Sequence, residues 1–216
     1  FDAFGSDALL LDYFDNFYRT VPRTLKGIEC LQRMFKFEYS NRKQPMWEGW
    51  YLEFLFQQYL KENPTLLIEW WAKKRRGELD FDLRFPGEEW FYGDMKSDNA
   101  ALNIQGNLKD NVDALVLTHH GRLWYVTFEF DTQHDCDHNY VTTEWWNRKL
   151  GKSNLRSYAK RMKYLIRILH MDIYEISQVT YHYLKTYWPS PTASGSRREK
   201  ILIPRSCKPY MRIHQS

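Results

Sequence analysis

Apolar and polar positions recur along this chain with two different periods, and the change of period predicts its elements. In the first forty residues Leu9, Leu10, Tyr13, Phe14, Phe17 and Tyr18 fall at helical spacing; a turn at Thr20-Val21-Pro22-Arg23 and a second helical stretch over 25–37 follow. Residues 46–61 predict a strong helix: Trp47, Trp50, Tyr51, Phe54, Leu55, Tyr59 and Leu60 share a stripe, Glu48 and Glu53 sit among them, and Asn63-Pro64 closes it. Residues 65–72 suit a strand or a short helix. Period two takes over at 78–85, where Leu79, Phe81, Leu83 and Phe85 alternate with Asp80, Asp82 and Arg84, as in a half-buried strand. Pro86-Gly87-Glu88 predicts a turn, 89–96 the returning strand, and 123–130 (Leu-Trp-Tyr-Val-Thr-Phe-Glu-Phe) a further strand. The period of 107–117 fits helix or strand. Residues 154–169 predict a second strong helix, with Leu155, Tyr158, Met162, Leu165, Ile166 and Leu169 as its apolar stripe and Arg156, Lys160, Arg161, Lys163 and Arg167 as a basic face. The remainder reads as a strand-rich 174–187, an exposed loop over 189–200 and a last edge strand at Ile201-Leu202-Ile203.

A length of 216 residues suits one domain over 1–216, made of an N-terminal helical part (1–45), a core (46–170) and C-terminal strands with a basic loop (171–216). The net charge of +4 permits a polyanionic partner without requiring one. Aromatic residues reach 17%, a share that reads mostly as core and rim, with surface rings for base stacking or partner contact as the alternative. Cys30, Cys136 and Cys207 form no CxxC pair, which argues against a secreted disulfide framework and fits a cytoplasmic protein. No signal peptide and no apolar run of membrane-spanning length is present, so no membrane partner is expected. The chain starts at Phe1 rather than Met, so residues ahead of it are expected to be missing.

The acidic hairpin changes this picture. A turn centred on Gly87 sets Asp80 opposite Asp94, and side chains two apart share a face, so Asp80, Asp82, Asp94 and Lys96 point the same way. Like carboxylates at short range repel and call for cations. Lys96 supplies one. A hard divalent ion such as Mg2+, which prefers oxygen ligands, supplies the rest, with Mn2+ as a substitute. Such an ion polarises a phosphoryl oxygen, and Lys96 can orient the attacking water or hold a phosphate.

A helix carrying Glu53, then Gly77-Glu78-Leu79-Asp80, then Asp94-Met95-Lys96 resembles the PD-(D/E)XK nuclease superfamily over roughly 46–170. The resemblance implies an α/β fold of restriction-endonuclease-like αβββαβ type, with a central mixed sheet flanked by helices. It implies metal binding by Asp80, Asp94 and Glu53 and a catalytic Lys96. Asp82 is the alternative to Asp80 as first aspartate. Small members are often type II restriction endonucleases, which implies a Mg2+-dependent enzyme hydrolysing double-stranded DNA, acting as a homodimer and without a nucleotide cofactor. The alternatives are a repair, junction or end-processing nuclease and a non-catalytic DNA-binding module. Asn154-Leu155-Arg156-Ser157-Tyr158 is similar to the Gln-x-x-x-Tyr motif of the exonuclease branch, with Asn in place of Gln.

Candidate phosphate contacts are Lys73, Lys74, Arg75 and Arg76 ahead of the acidic strand, Arg156 and Lys160 on the basic helix face, and Arg197 and Arg198 in the late loop. Gln133 and Asn139 are residue types that read adenine edges. His134, Cys136 and His138 offer only part of a zinc tetrahedron, so that run reads as a polar loop. His119-His120-Gly121 reads as a turn.

Overall fold

The structure, a computed structural model, describes residues 3–71, 79–98, 102–151, 161–189 and 198–216. In chain order its elements are α1 (Ala3–Thr20), β1 (Thr24–Lys26), α2 (Gly27–Lys36), α3 (Trp47–Glu62), β2 (Glu69–Trp70), β3 (Leu83–Arg84), β4 (Phe91–Asp98), β5 (Ile104–Leu108), α4 (Lys109–Asp113), β6 (Arg122–His134), α5 (Val141–Leu150), β7 (Lys163–Ile176), β8 (Lys185–Tyr187), β9 (Lys200–Ile203) and β10 (Arg212–Gln215). The class is mixed α and β, with a mixed central sheet and flanking helices. Two compact units divide the chain: residues 1–15, 65–128 and 171–216 form the first, and 16–64 with 129–170 form the second.

In the first unit the sheet runs β7-β6-β4-β3-β2, with β10 antiparallel on β7. A second antiparallel sheet has the order β5-β9-β8. Ile104, Ile201 and Ile203 of this sheet enter a core with Phe81, Tyr92, Val112, Leu115, Leu123, Tyr125 and Tyr174. Burial of each such side chain contributes about 1.5–3 kcal/mol, so this cluster is a main source of the unit's stability. At the start of β6 the Arg122 guanidinium lies over the Phe91 ring and pairs with Asp7 (2.8 Å), Glu88 (2.6 Å) and Glu175 (3.1 Å). Three carboxylates offset the cost of removing that charge from water.

In the second unit the sheet order is β1-β7-β6, with β1 antiparallel to β7. Phe17 packs edge-on against Phe56, and the Trp47 indole donates to the Lys163 carbonyl at 3.0 Å. A Cβ on Gly27 would stand 2.6 Å from that same carbonyl, so only glycine lets the start of α2 approach β7 this closely. Buried Asp135 accepts from the backbone N–H of Thr142 (2.9 Å) and Thr143 (2.7 Å) and from the Thr143 hydroxyl (2.6 Å). It thereby satisfies the otherwise unpaired donors at the start of α5.

Several expectations from the pattern are corrected. The helix expected over 154–169 is a strand from Lys163 onward; residues 152–160 lie outside the described residues. Its stripe, Leu165, Ile166 and Leu169, read as helical because short apolar runs fit both periods, and pairing of Ile166 with Leu25 decides for strand. The strand expected over 78–85 is only Leu83–Arg84. Ile201-Leu202-Ile203 is no edge but the middle strand of the second sheet. The expected strand over 174–187 breaks into the end of β7, a helical turn at Tyr181–Tyr183 and β8. The helical stretch over 25–37 begins with two strand residues of β1. Among the described residues no helix is long and apolar enough to cross a membrane.

Candidate active site

The hairpin register differs from the one the turn residues suggested. Leu83 pairs with Gly93 and Arg84 with Tyr92, which centres the turn on Glu88 rather than Gly87. Extended inward, that register sets Asp82, not Asp80, opposite Asp94. The ladder stops there for a specific reason. The Asp82 carboxylate accepts the Met95 N–H at 3.1 Å, a donor that a longer β3 would have paired with main chain, and the Asp82 N–H turns to the Gly93 carbonyl at 3.1 Å. Asp82 thus both ends the strand and stands beside the Asp94-Met95-Lys96 segment.

Asp94 is buried at 3% exposure, near the centre of β4. Its Oδ1 meets the Lys96 ammonium at 2.7 Å, and Lys96 is itself mostly covered. Its Oδ2 accepts a short hydrogen bond from the Asn107 side-chain amide. The same amide nitrogen donates to the main-chain carbonyl of Asp80 at 3.2 Å. Asn107 is fixed in turn by Tyr125: the phenol donates to Asn107 Oδ1 at 2.7 Å, and the Asn107 N–H donates to the phenolic oxygen at 3.0 Å. One residue therefore ties Asp94, the backbone of Asp80 and the buried Tyr125 of β6 together. Burial pushes the Tyr125 phenol well up, and the negative charges of Asp94 and Asp82 add to that shift.

A bulge makes this possible. Between Gln105 and Leu108 the pairing of β5 with β9 slips, leaving Gly106 and Asn107 out of the ladder. Bulges re-aim side chains and release main-chain donors; here the released N–H and the re-aimed amide are those of Asn107. A Cβ on Gly106 would lie 2.6 Å from the Tyr125 hydroxyl and 2.5 Å from Ile201, so glycine is required for the approach.

Glu53 belongs to the second unit, where its carboxylate accepts from the Tyr39 hydroxyl at 3.2 Å. Gln133 and Asn139 also lie in that unit and are exposed; Asn139 has a left-handed backbone (φ 54°), a conformation asparagine tolerates, and closes the turn after Asp135–His138. His138 stacks on Tyr164 at 3.9 Å. Arg198 is exposed in the first unit. Lys73, Lys74, Arg75, Arg76, Arg156, Lys160 and Arg197 lie outside the described residues, as do Gly77, Glu78 and the 154–158 motif. Among the described residues, no group of three His, Cys, Asp or Glu ligand atoms within 4.8 Å of one another includes Asp80, Asp82 or Asp94, so the expected convergence of three carboxylates is not formed. What stands together is two carboxylates, one lysine and one amide. Mg2+ commonly binds through one or two carboxylates and completes its shell with water and substrate phosphate, and Asp82 and Asp94 offer carboxylate oxygens of that kind.

Asn107 and Tyr125 were missed from sequence. The available signal was Gly106, since a lone glycine inside a strand pattern marks a bulge or a close backbone approach. No family model, curated protein or solved structure matches the chain.

Proposed function

We propose that the protein is a Mg2+-dependent endonuclease that hydrolyses phosphodiester bonds in double-stranded DNA, of the type II restriction class, with the restriction-endonuclease-like αβββαβ core that the resemblance implies. The observation that carries this reading is the Asp94–Lys96 contact at 2.7 Å on β4, with Asp82 at its side. A buried ion pair serves fold stability poorly, because desolvation offsets most of its attraction. A pair set beside a second carboxylate suits chemistry better.

In this reading Asp94 and Asp82 hold the metal ion, and the Asp80 carbonyl lies beside Asp94. The ion supplies Lewis-acid polarisation of the scissile phosphate. Asn107 keeps the Asp94 carboxylate in one orientation. Lys96 balances Asp94 until substrate arrives, then directs its ammonium to the attacking water or to a phosphate oxygen. Two copies acting on opposite strands account for a double-strand cut, which makes a homodimer the matching assembly.

Plasmid DNA incubated with Mg2+ or Mn2+ tests the reading. Wild-type protein is expected to linearise it and Lys96→Ala to leave it intact. Equal behaviour of the two proteins across metals overturns the reading. Discrete fragments from unmodified linear duplex identify a restriction enzyme, whereas cutting confined to branched or single-stranded DNA identifies a repair or end-processing nuclease.

A further inference from the structure

The outer face of the β5-β9-β8 sheet has no part in the core. Opposite the buried Ile104, Ile201 and Ile203 it presents Gln105, Leu202, Lys200, Lys185 and Tyr187. Gln105 lies across from Leu202, and Leu202 across from Lys185, which gives one continuous row. The Tyr187 hydroxyl donates to Gln105 Oε1 at 3.3 Å. Partial burial raises the Tyr187 phenol, and the charge of Lys96 opposes that rise. At the far end of the row is an open concavity lined by Asn103, Lys185, Leu202, Pro204, Arg205 and Ser206. It holds two cations and a hydroxyl, and no carboxylate lines it. Asn103 Oδ1 accepts the Arg205 N–H at 2.9 Å and so anchors the turn that carries the guanidinium. Among the described residues Lys185, Lys200 and Arg205 form no ion pair.

Cations left unpaired in a concave site, with hydroxyl and amide groups between them, suit successive phosphates on a polymer. Gln105 lies on β5 two residues before Asn107, the residue that holds Asp94, so the surface is continuous with the proposed catalytic centre. We propose that this face is a phosphate-binding track that seats the DNA backbone beside the scissile phosphate, with Lys185 and Arg205 holding a flanking phosphate in the concavity. The proposal rests on the nuclease reading and adds to it a substrate path on the second sheet, apart from the basic clusters that the sequence singled out.

The test measures binding of a labelled DNA duplex by fluorescence anisotropy in EDTA over a range of salt, for the wild-type protein and for Lys185→Ala/Arg205→Ala. Loss of two phosphate contacts should weaken binding by at least tenfold at low salt and reduce the slope of log K against log salt by about 1.8. The melting temperature and calorimetric Mg2+ binding should stay at wild-type values, and Lys185→Arg/Arg205→Lys should restore both affinity and slope. If the wild-type protein cuts plasmid DNA while the alanine pair binds duplex with unchanged affinity and salt slope, the track is overturned and the nuclease reading stands. If the wild-type protein neither cuts nor binds DNA, both fall. If the charge-conserving pair fails to restore binding, the concavity is not a phosphate site and the proposal is overturned.

Discussion

Asp94 and Asp135 are both buried, at 3% and 0% exposure, yet their surroundings differ in kind. Asp135, in the second unit, spends its carboxylate on three donors from Thr142 and Thr143 at the start of α5. It is an anchor for a helix, and no cation accompanies it among those bonds. Asp94, in the first unit, meets one ammonium on one oxygen and one amide on the other. Its amide partner is itself clamped by Tyr125 rather than by a helix end. The difference teaches how to read a buried acid: where the donors are backbone N–H groups of one element, the acid holds that element; where they are side chains gathered from several strands around a lysine, the acid is held for something else.

The comparison can be broken, and the largest effect should come from Lys96. Lys96→Ala should lower DNA cleavage about a thousandfold, and because it strands a buried carboxylate it should also lower the melting temperature, a loss that Mg2+ restores by binding the folded state. Unchanged cleavage would move Asp94 into the same class as Asp135. Next in size is Asp135→Ala, which should cost about 3 kcal/mol in urea unfolding through loss of charged hydrogen bonds at a helix start. Calorimetric Mg2+ binding of the folded Asp135→Ala protein should equal wild type; a large loss of metal affinity would erase the distinction.

Asn107→Leu should weaken Mg2+ binding between tenfold and a hundredfold, about the effect of removing a group that orients a metal ligand. Asn107→Asp should weaken it less, if the added charge compensates, and a shifted preference for Mn2+ would sharpen the assignment. A smaller effect is expected at Glu48 in the second unit, a helix acid that is 3% exposed and has one oxygen without a hydrogen-bond partner. Burial raises its pKa, with its own backbone N–H and Lys163 opposing that rise. Its neutral form is therefore favoured on folding, and the cost of charging it appears as pH rises above about 4.5, the ordinary value. Glu48→Gln should accordingly stabilise the protein by about 1 kcal/mol at pH 7, and the gain should vanish below pH 4. The smallest effect is alkaline. The Tyr125 phenol is raised above its ordinary 10.0, so above pH 10 the unfolded chain loses a proton that the folded chain keeps, and stability falls as pH rises. Tyr125→Phe should flatten that fall.

Strong periodicity made several elements legible. α1 and α3 follow apolar stripes at helical spacing, and β6 follows its run of aromatic and β-branched residues. Where periods overlap, legibility failed: Leu165, Ile166 and Leu169 satisfy a helical stripe, yet pairing with β1 draws them into a strand. Register was equally hidden, since moving the turn centre from Gly87 to Glu88 exchanges Asp82 for Asp80 as the partner of Asp94. Nothing local distinguishes the two centres, because both leave the same residues facing the same way.

By itself the sequence determined that Asp94 and Lys96 share one face of their strand, because side-chain direction alternates along an extended chain whatever it packs against. Only the tertiary structure decided what surrounds that charge. Asn107 and Tyr125 are 18 residues apart, and what brings them to Asp94 is a bulge, a glycine and the packing of one sheet on another. Those contacts form between strands distant in sequence, and pattern within a strand cannot specify them.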